Sequence, residues 1–469
     1  MADEEKDIQK ESVQAEAKVK EKADLKDILG VGFAGYEVVK DHLSHFKSQD
    51  GLHIEGVKFL DPKNESFNKF LTSEEFKDRR NQLKQRLQIW ADLLGANEAN
   101  SDEFADKLEN MIKEADKNLT QNMSSIHEAI RPLETAYRGI DLFFQNAAAR
   151  PDSEIYAYFS NVGISDLTDP NDREKFEYLN RQIHDIYGLY DIKNSYALCC
   201  IPGYLGSVKD IDTVARDMGL PNKLHVLTDF KHFDTYEDLA DELDDPAYDD
   251  LRGNDEYKAY ISVFGNYVKA EKPESRFDKE AMWLPPSPMM AGLIYKNDNE
   301  VGIQAPSAGK ANGKIGGVSR TRIKLSEAKN TKINEKGINC VLNWQGDVGD
   351  VVAMGADTLS KDPKFRNYTI KRTYDYIYKT MRNYLNQQVY KGFDDKLKKS
   401  IDGDLNKFLS LLQRNKVING FTCNVIATNE MIENQQMLLE VALNTKTPIK
   451  QYVVKLEALI DESGQAAVK

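Results

Sequence analysis

Apolar residues recur at three- and four-residue intervals over 25–46. Leu25, Ile28, Leu29, Gly32, Tyr36, Val39 and Leu43 fall near one face of a predicted helix. A helix with one apolar face at a chain end needs something to pack against, either its own body or a partner's helix. After a short strand predicted at 52–60, the helical period returns through Phe70, Phe76, Leu83, Leu87, Trp90 and Leu94, then Phe104, Leu108 and Ile112, so 64–148 reads as mostly helical. From 150 to 300, strand candidates at 155–159, 196–201, 224–227 and 257–268 alternate with helical stretches. Two further helices follow. Tyr374, Ile377, Tyr378, Met381, Leu385 and Val389 share the apolar face of one; Leu397, Ile401, Leu405, Phe408 and Leu412 share that of the other. Their polar faces carry Lys379, Arg382, Lys396, Lys398, Lys399, Lys407 and Arg414. The period then changes to two. A strand at 421–428 precedes Leu439, Val441 and Leu443, which alternate with Glu440, Ala442 and Asn444. Tyr452, Val454, Leu456, Ala458 and Ile460 alternate with Gln451, Lys455, Glu457 and Asp461. A strand so near the end of a chain leaves an edge that another chain can extend.

Between the two halves of this pattern lies a stretch rich in proline and glycine, from Trp283 to Thr358. Pro285, Pro286 and Pro288 argue against a helix interior or a central strand. Gly309, Gly313, Gly316 and Gly317 permit turns, so the stretch is expected to position loops between strands. It offers no nucleophile with a base and no ligand set. Candidate chemistry elsewhere is equally thin. Gly30, Gly32 and Gly35 form a literal GxGxxG, but the residues before them are helical in pattern, whereas a dinucleotide site needs a strand there. His127-Glu128 has no second histidine one turn on, and His42 with His45 has no third ligand. Gly309-Lys310 and Gly313-Lys314 lack phosphate-loop spacing and the following hydroxyl. The acidic tract 237–256 lacks the calcium-loop pattern and reads as a solvated surface. No catalytic, cofactor-binding or metal-binding residue is assigned.

Composition narrows the classes further. The 469 residues suffice for two or three domains, and a net charge of −13 argues against general nucleic-acid binding. No apolar run reaches the length of a membrane span, and the charged first residues contain no signal-peptide core. Cys199, Cys200, Cys340 and Cys423 show no CxxC spacing and read as reduced, which suits a cytoplasmic protein. Charge is unevenly distributed: 301–420 sums to +11 and the remainder to −24. Solvated faces of both signs account for this, as does an assembly with one basic and one acidic face.

The order of short motifs in the central stretch resembles one family. Leu284-Pro285-Pro286-Ser287, Ala291-Gly292, Asp298 through Gly302, Ala305-Pro306-Ser307, Gly337-Ile338-Asn339 and Gly355-Ala356-Asp357-Thr358-Leu359 are similar to the core of the large sheath subunit of bacterial type VI secretion systems, the TssC/VipB family. Leu133-Glu134-Thr135-Ala136-Tyr137-Arg138-Gly139-Ile140 resembles a second motif of that family, so the likeness spans about 125–460. Ser307 replaces an alanine, Asp357 an arginine and Tyr137 a tryptophan, which suggests a divergent branch.

The resemblance implies an α+β, multi-domain contractile tail-sheath fold. Its expected parts are an N-terminal helical partner-binding segment (1–50), a helical region (51–150), an α/β middle or outer domain (151–300) and a C-terminal core with an inter-subunit strand (301–469). It also implies a structural protein without enzymatic activity, paired with a small sheath subunit and self-assembling as a helical sheath around a hexameric inner tube. A baseplate would nucleate assembly and a AAA+ unfoldase would recycle it, with no membrane insertion. Combined with the residue patterns, Leu25, Ile28, Leu29, Tyr36 and Val39 are expected to contact the small subunit. Lys396, Lys398 and Lys399 are expected to face the inner tube, and Tyr452, Val454 and Leu456 to form the inter-subunit strand. The alternatives are the sole sheath protein of a phage-like tail, or a cytosolic α/β enzyme using the glycine-rich loop as a ligand site.

Overall fold

The computed structural model describes residues 74–79, 81, 101–148, 150, 154–169, 171–189, 192, 194–272, 281–344 and 349–450. The chain divides into two compact units, Met1–Asn122 and Met123–Lys469. In the first, the described residues form a 3-10 turn, Glu74–Phe76, and the opening turns of a long helix, α1 (Ser101–Ala147). The helix expected at 25–46, with Leu25, Ile28, Leu29, Tyr36 and Val39, lies outside the described residues, as does the strand expected at 52–60.

The second unit is built on a six-stranded sheet. Helix α2 (Glu174–Gly188) precedes β1 (Leu198–Ile201); α3 (Val208–Val214) leads to β2 (His225–Asp229), and α4 (Tyr236–Leu243) to β3 (Ile261–Gly265). The chain continues through β4 (Val268–Ala270), α5 (Ser287–Glu300), β5 (Lys314–Ile315), β6 (Val318–Thr321), α6 (Glu327–Glu335), β7 (Ile338–Asn343) and β8 (Val351–Ala353). Strand order is β1-β2-β3-β7-β8-β5, and β4 pairs with β6 separately. The first four strands are parallel, while β8 runs antiparallel to both neighbours. The sheet thus takes strands from both sides of residue 300.

Parallel strands covered on both faces must be apolar on both, and every residue of β2 and β3 is buried. On one face, Phe176, Ile211, Val214, Leu239, Leu243 and Ile333 pack over Val226, Val263 and Ile338. On the other, Met289, Met290, Leu293 and Ile294 of α5, with Leu142 of α1, cover Leu227, Phe264 and Val341. Hydroxyl and amide caps start several helices: Ser207, Thr235, Ser326 and Asn367 each accept a backbone N–H of the first turn.

A C-terminal layer follows. Helices α7 (Tyr368–Asn386) and α8 (Asp395–Arg414, capped by Asp394) pack on a hairpin of β9 (Ile418–Ile426) and β10 (Leu438–Thr445). Ile377, Met381, Ile401, Leu405, Leu409 and Leu412 form its core, with Leu439, Val441 and Leu443 half-buried against them. Leu438, Glu440, Ala442 and Asn444 on the other row are exposed, as the alternation predicts. The predicted strand with Tyr452, Val454 and Leu456 lies outside the described residues.

Several expectations change. The proline-rich run opens a helix rather than a loop. Pro286 is the residue before α5 and Pro288 lies in its first turn, where a missing N–H costs nothing because that group has no intrahelical acceptor. Residues 155–159 are irregular, not a strand. Tyr156, Tyr158 and Phe159 are exposed, and a short run of aromatic residues supplies no partner strand by itself. The candidate at 257–268 is split. A 3-10 turn, Glu256–Tyr260, precedes β3, and Asn266, at φ 68, turns the chain toward β4. On α7, Tyr378 is exposed and Val389 lies beyond the helix and is exposed, while Lys379, expected on the polar face, is partly buried and donates to Tyr196 O at 2.8 Å.

Candidate functional site

The short motifs of the 283–358 stretch converge on one buried polar seam between the central sheet and α7. It begins at the end of β2. The Asp229 carboxylate accepts from Gly203 N (2.8 Å), Ser287 N (2.8 Å) and Ser287 Oγ (2.5 Å). One side chain thereby fixes both the turn after β1 and the first turn of α5. Burial pushes the Asp229 carboxyl up to about 7, against the pull of its three donors.

Gly292 is required by proximity. A Cβ there would lie 2.3 Å from Phe143 O, so α5 crosses α1 backbone to backbone, and Gly139 of α1 packs on Pro288 from the other side. The Tyr137-containing motif on α1 is accordingly two-faced. Arg138 Nε donates to Glu134 at 2.7 Å and its Nη1 to Lys272 O at 3.1 Å, whereas Leu133, Tyr137 and Ile140 point outward, exposed.

At the far end of α5, Asp298 receives both terminal nitrogens of Arg372, Nη1 at 3.1 Å and Nη2 closer still. The Arg372 side chain is 4% exposed and Asp298 25%, so this bidentate pair joins α5 to α7 in a low-dielectric setting. Gly302, at φ 112, then ends the helix by donating to Asn297 O at 2.8 Å. Ser307 Oγ accepts from Asn297 Nδ2 at 2.8 Å, and Ser307 N donates to the Tyr368 hydroxyl at 3.0 Å. An alanine at 307 would keep the second bond and lose the first.

The last motifs meet across β7. Asn339 Oδ1 accepts Asp357 N at 2.8 Å, and its Nδ2 donates to Asp357 O at 2.8 Å. Gly355 must lack a side chain because a Cβ would lie 2.5 Å from that same Oδ1. The Asp357 carboxylate, fully buried, faces three cations: Arg366 at 3.4 Å, Arg252 at 3.8 Å and Lys450 in direct contact. On α7, Lys371 pairs with Asp375, whose carboxylate also meets the Tyr260 hydroxyl at 3.4 Å. Burial pulls Lys371 down and pushes Asp375 up; it also pulls Lys379 down to about 8.

The polar groups of this seam hold one element to the next, with Nε of Arg252 and Nε of Arg372 left buried without a hydrogen-bond partner. The Ser287 hydroxyl meets the Asp229 carboxylate, but both side chains are fully buried away from solvent, and among the described residues no cluster of three His, Cys, Asp or Glu could hold a metal. The four cysteines are free thiols, with burial pushing Cys199 and Cys340 up to about 12. No helix among the described residues is long and apolar enough to cross a membrane. Of the predicted contact residues, Lys396, Lys398 and Lys399 lie in the first turns of α8, the outer two exposed and Lys398 half-exposed. They take no part in the seam. Arg372, Lys371 and Lys450 are the ions the sequence pattern missed. The four-residue spacing of Lys371 and Asp375 was the available signal for one pair.

Three family models match the sequence in succession. The TssC/VipB-like N-terminal region matches 40–123, the type VI secretion system TssC/VipB central domain 125–361, and the TssC/VipB-like C-terminal domain 367–467. Among solved structures, the fold is similar to a chain of the anti-feeding prophage baseplate, at TM-score 0.52 and 19% identity over 69% of this chain and 80% of that one. It is also similar to the anti-feeding prophage helical sheath in its contracted state, at TM-score 0.52 and 18% identity over 69% and 82%. No curated protein matches.

Proposed function

The chain belongs to the TssC/VipB family of type VI secretion systems and is a subunit of a contractile sheath; within that role, we propose that it pairs with a small sheath subunit and encloses an inner tube. The observation that carries the reading is the run of family models from 40 to 467, nearly end to end. The extended sheath is a metastable packing that relaxes into one with larger interfaces, expelling the tube. That work needs no reactive group in the chain. It does need rigid subunits, and a seam of buried ion pairs tying α5, α7 and the sheet together supports rigidity. A baseplate to nucleate the tube and an unfoldase to recycle it complete the proposed set of partners.

The helix at 25–46 is proposed as the small-subunit contact, through Leu25, Ile28, Leu29, Tyr36 and Val39. Replacing Leu29 and Val39 with glutamate should abolish co-purification of the two proteins while residues 123–450 stay folded by circular dichroism. Normal recovery of the pair would show that the contact lies elsewhere.

The basic start of α8, with Lys396, Lys398 and Lys399, is proposed to face an acidic belt on the inner tube. Exposed ion pairs contribute about 0–1 kcal/mol each, so the effect would come from repetition around a ring. Reversing all three to glutamate should cut the yield of tube-filled sheaths; unchanged filling would reject the placement.

A further inference from the structure

We propose that Asp357 is the positioning residue for the C-terminal arm: it holds Lys450, the residue directly before the predicted strand at 451–461, and so fixes the point at which the chain departs from the described body. The inference rests on the proposed lattice role of the arm.

The carboxylate is held in place before Lys450 arrives. The Asp357 backbone is bonded on both sides to Asn339, its carbonyl also accepts from Ser262 Oγ at 2.9 Å, and the residue bridges to Asn367. Its two oxygens are used differently. Oδ2 faces Arg366 and Arg252, both belonging to the central body. Arg252 is further committed to four backbone carbonyls, those of Asn334, Glu335, Thr358 and Ser360. Oδ1 is left for Lys450, 93 positions away in sequence.

The chain reaches Lys450 only five residues after β10 ends at Thr445. The contact therefore ties the exit of the hairpin layer back to the central sheet. Three cations converge on one carboxylate, so once that charge is removed the remaining arginines repel Lys450 instead of leaving it neutral in place. A root pinned at one point raises the effective concentration of the arm at a neighbour's sheet edge and lowers the ordering cost of docking there.

The test uses the full chain in complex with the small subunit, in soluble form, under limited proteolysis followed by mass mapping of the cut sites. K450Q leaves the buried carboxylate its two arginines, so the fold is spared. It should raise cleavage within 446–469 about fivefold or more, because cutting follows the population of the released state. K450R keeps the charge and should return the rate to near the parent's. D357N should release the arm at least as strongly as K450Q. Unchanged cleavage in K450Q, equal release in K450Q and K450R, or new cuts spread through β1–β3 would each overturn the proposal. The lattice reading fails separately. If the chain cut after Thr447 still forms tubes, the arm is not a lattice strand, while the cleavage rates still judge the Asp357 contact.

Discussion

Removing the residues after Thr447 should leave a soluble complex with the small subunit that forms no tubes. The hairpin of β9 and β10 is complete without them. Its register runs from Leu438 opposite Ile426 to Thr445 opposite Ile418, and its inner row already packs on α8. The truncation therefore spares the core of the C-terminal layer. What is lost is the alternating segment with Tyr452, Val454 and Leu456, whose main-chain hydrogen bonds would join neighbouring subunits whatever side chains face them. Loss of a contact made by every subunit is expected to abolish the lattice outright. Size-exclusion chromatography and electron microscopy of the same preparation read both halves of the result. Aggregation or degradation of the truncated chain would assign the segment to the subunit's own core, and normal tubes would give it neither role.

Asp298→Ala should destabilise the subunit by about 3–5 kcal/mol, the range for breaking a buried ion pair from one side. The cost arises from Arg372, left 4% exposed with no carboxylate to meet its two terminal nitrogens. Replacing both partners together, Asp298→Leu with Arg372→Met, should recover most of the loss, because no buried charge remains. Denaturant unfolding of the full chain, followed by fluorescence, measures both. A single variant that unfolds at the parent's midpoint would mean that water reaches Arg372 and the pair contributes little.

Much of the framework was legible because it depends on local period. Ile401, Leu405 and Leu412 announce α8, and Leu439, Val441 and Leu443 announce β10, in the positions where the structure has them. The polar seam was legible only as a string of family-like motifs. The meaning of Asp298 depends on Arg372, 74 residues later, and that of Asp357 on Lys450, 93 residues later; spacing along a chain does not encode such meetings. Three prolines suggested loops because the rule against them holds inside a helix and lapses in its first turn, where Pro288 sits. Residues 155–159 show the converse failure: a strand-like run of apolar and aromatic residues that joins no strand. Lys371 and Arg372 are buried although they lie in the basic stretch 301–420, since a charged residue is written the same way whether water or a carboxylate meets it.

The proposed pairing means that this chain builds a sheath only together with a second, smaller subunit. Negative-stain electron microscopy of the chain expressed alone, and expressed with the small subunit and inner-tube protein, decides between the two possibilities, assembly with the partner and assembly without it. Tubes are expected from the combination and none from the chain alone. Tubes from the chain by itself, or discrete particles from the full combination, would contradict the pairing.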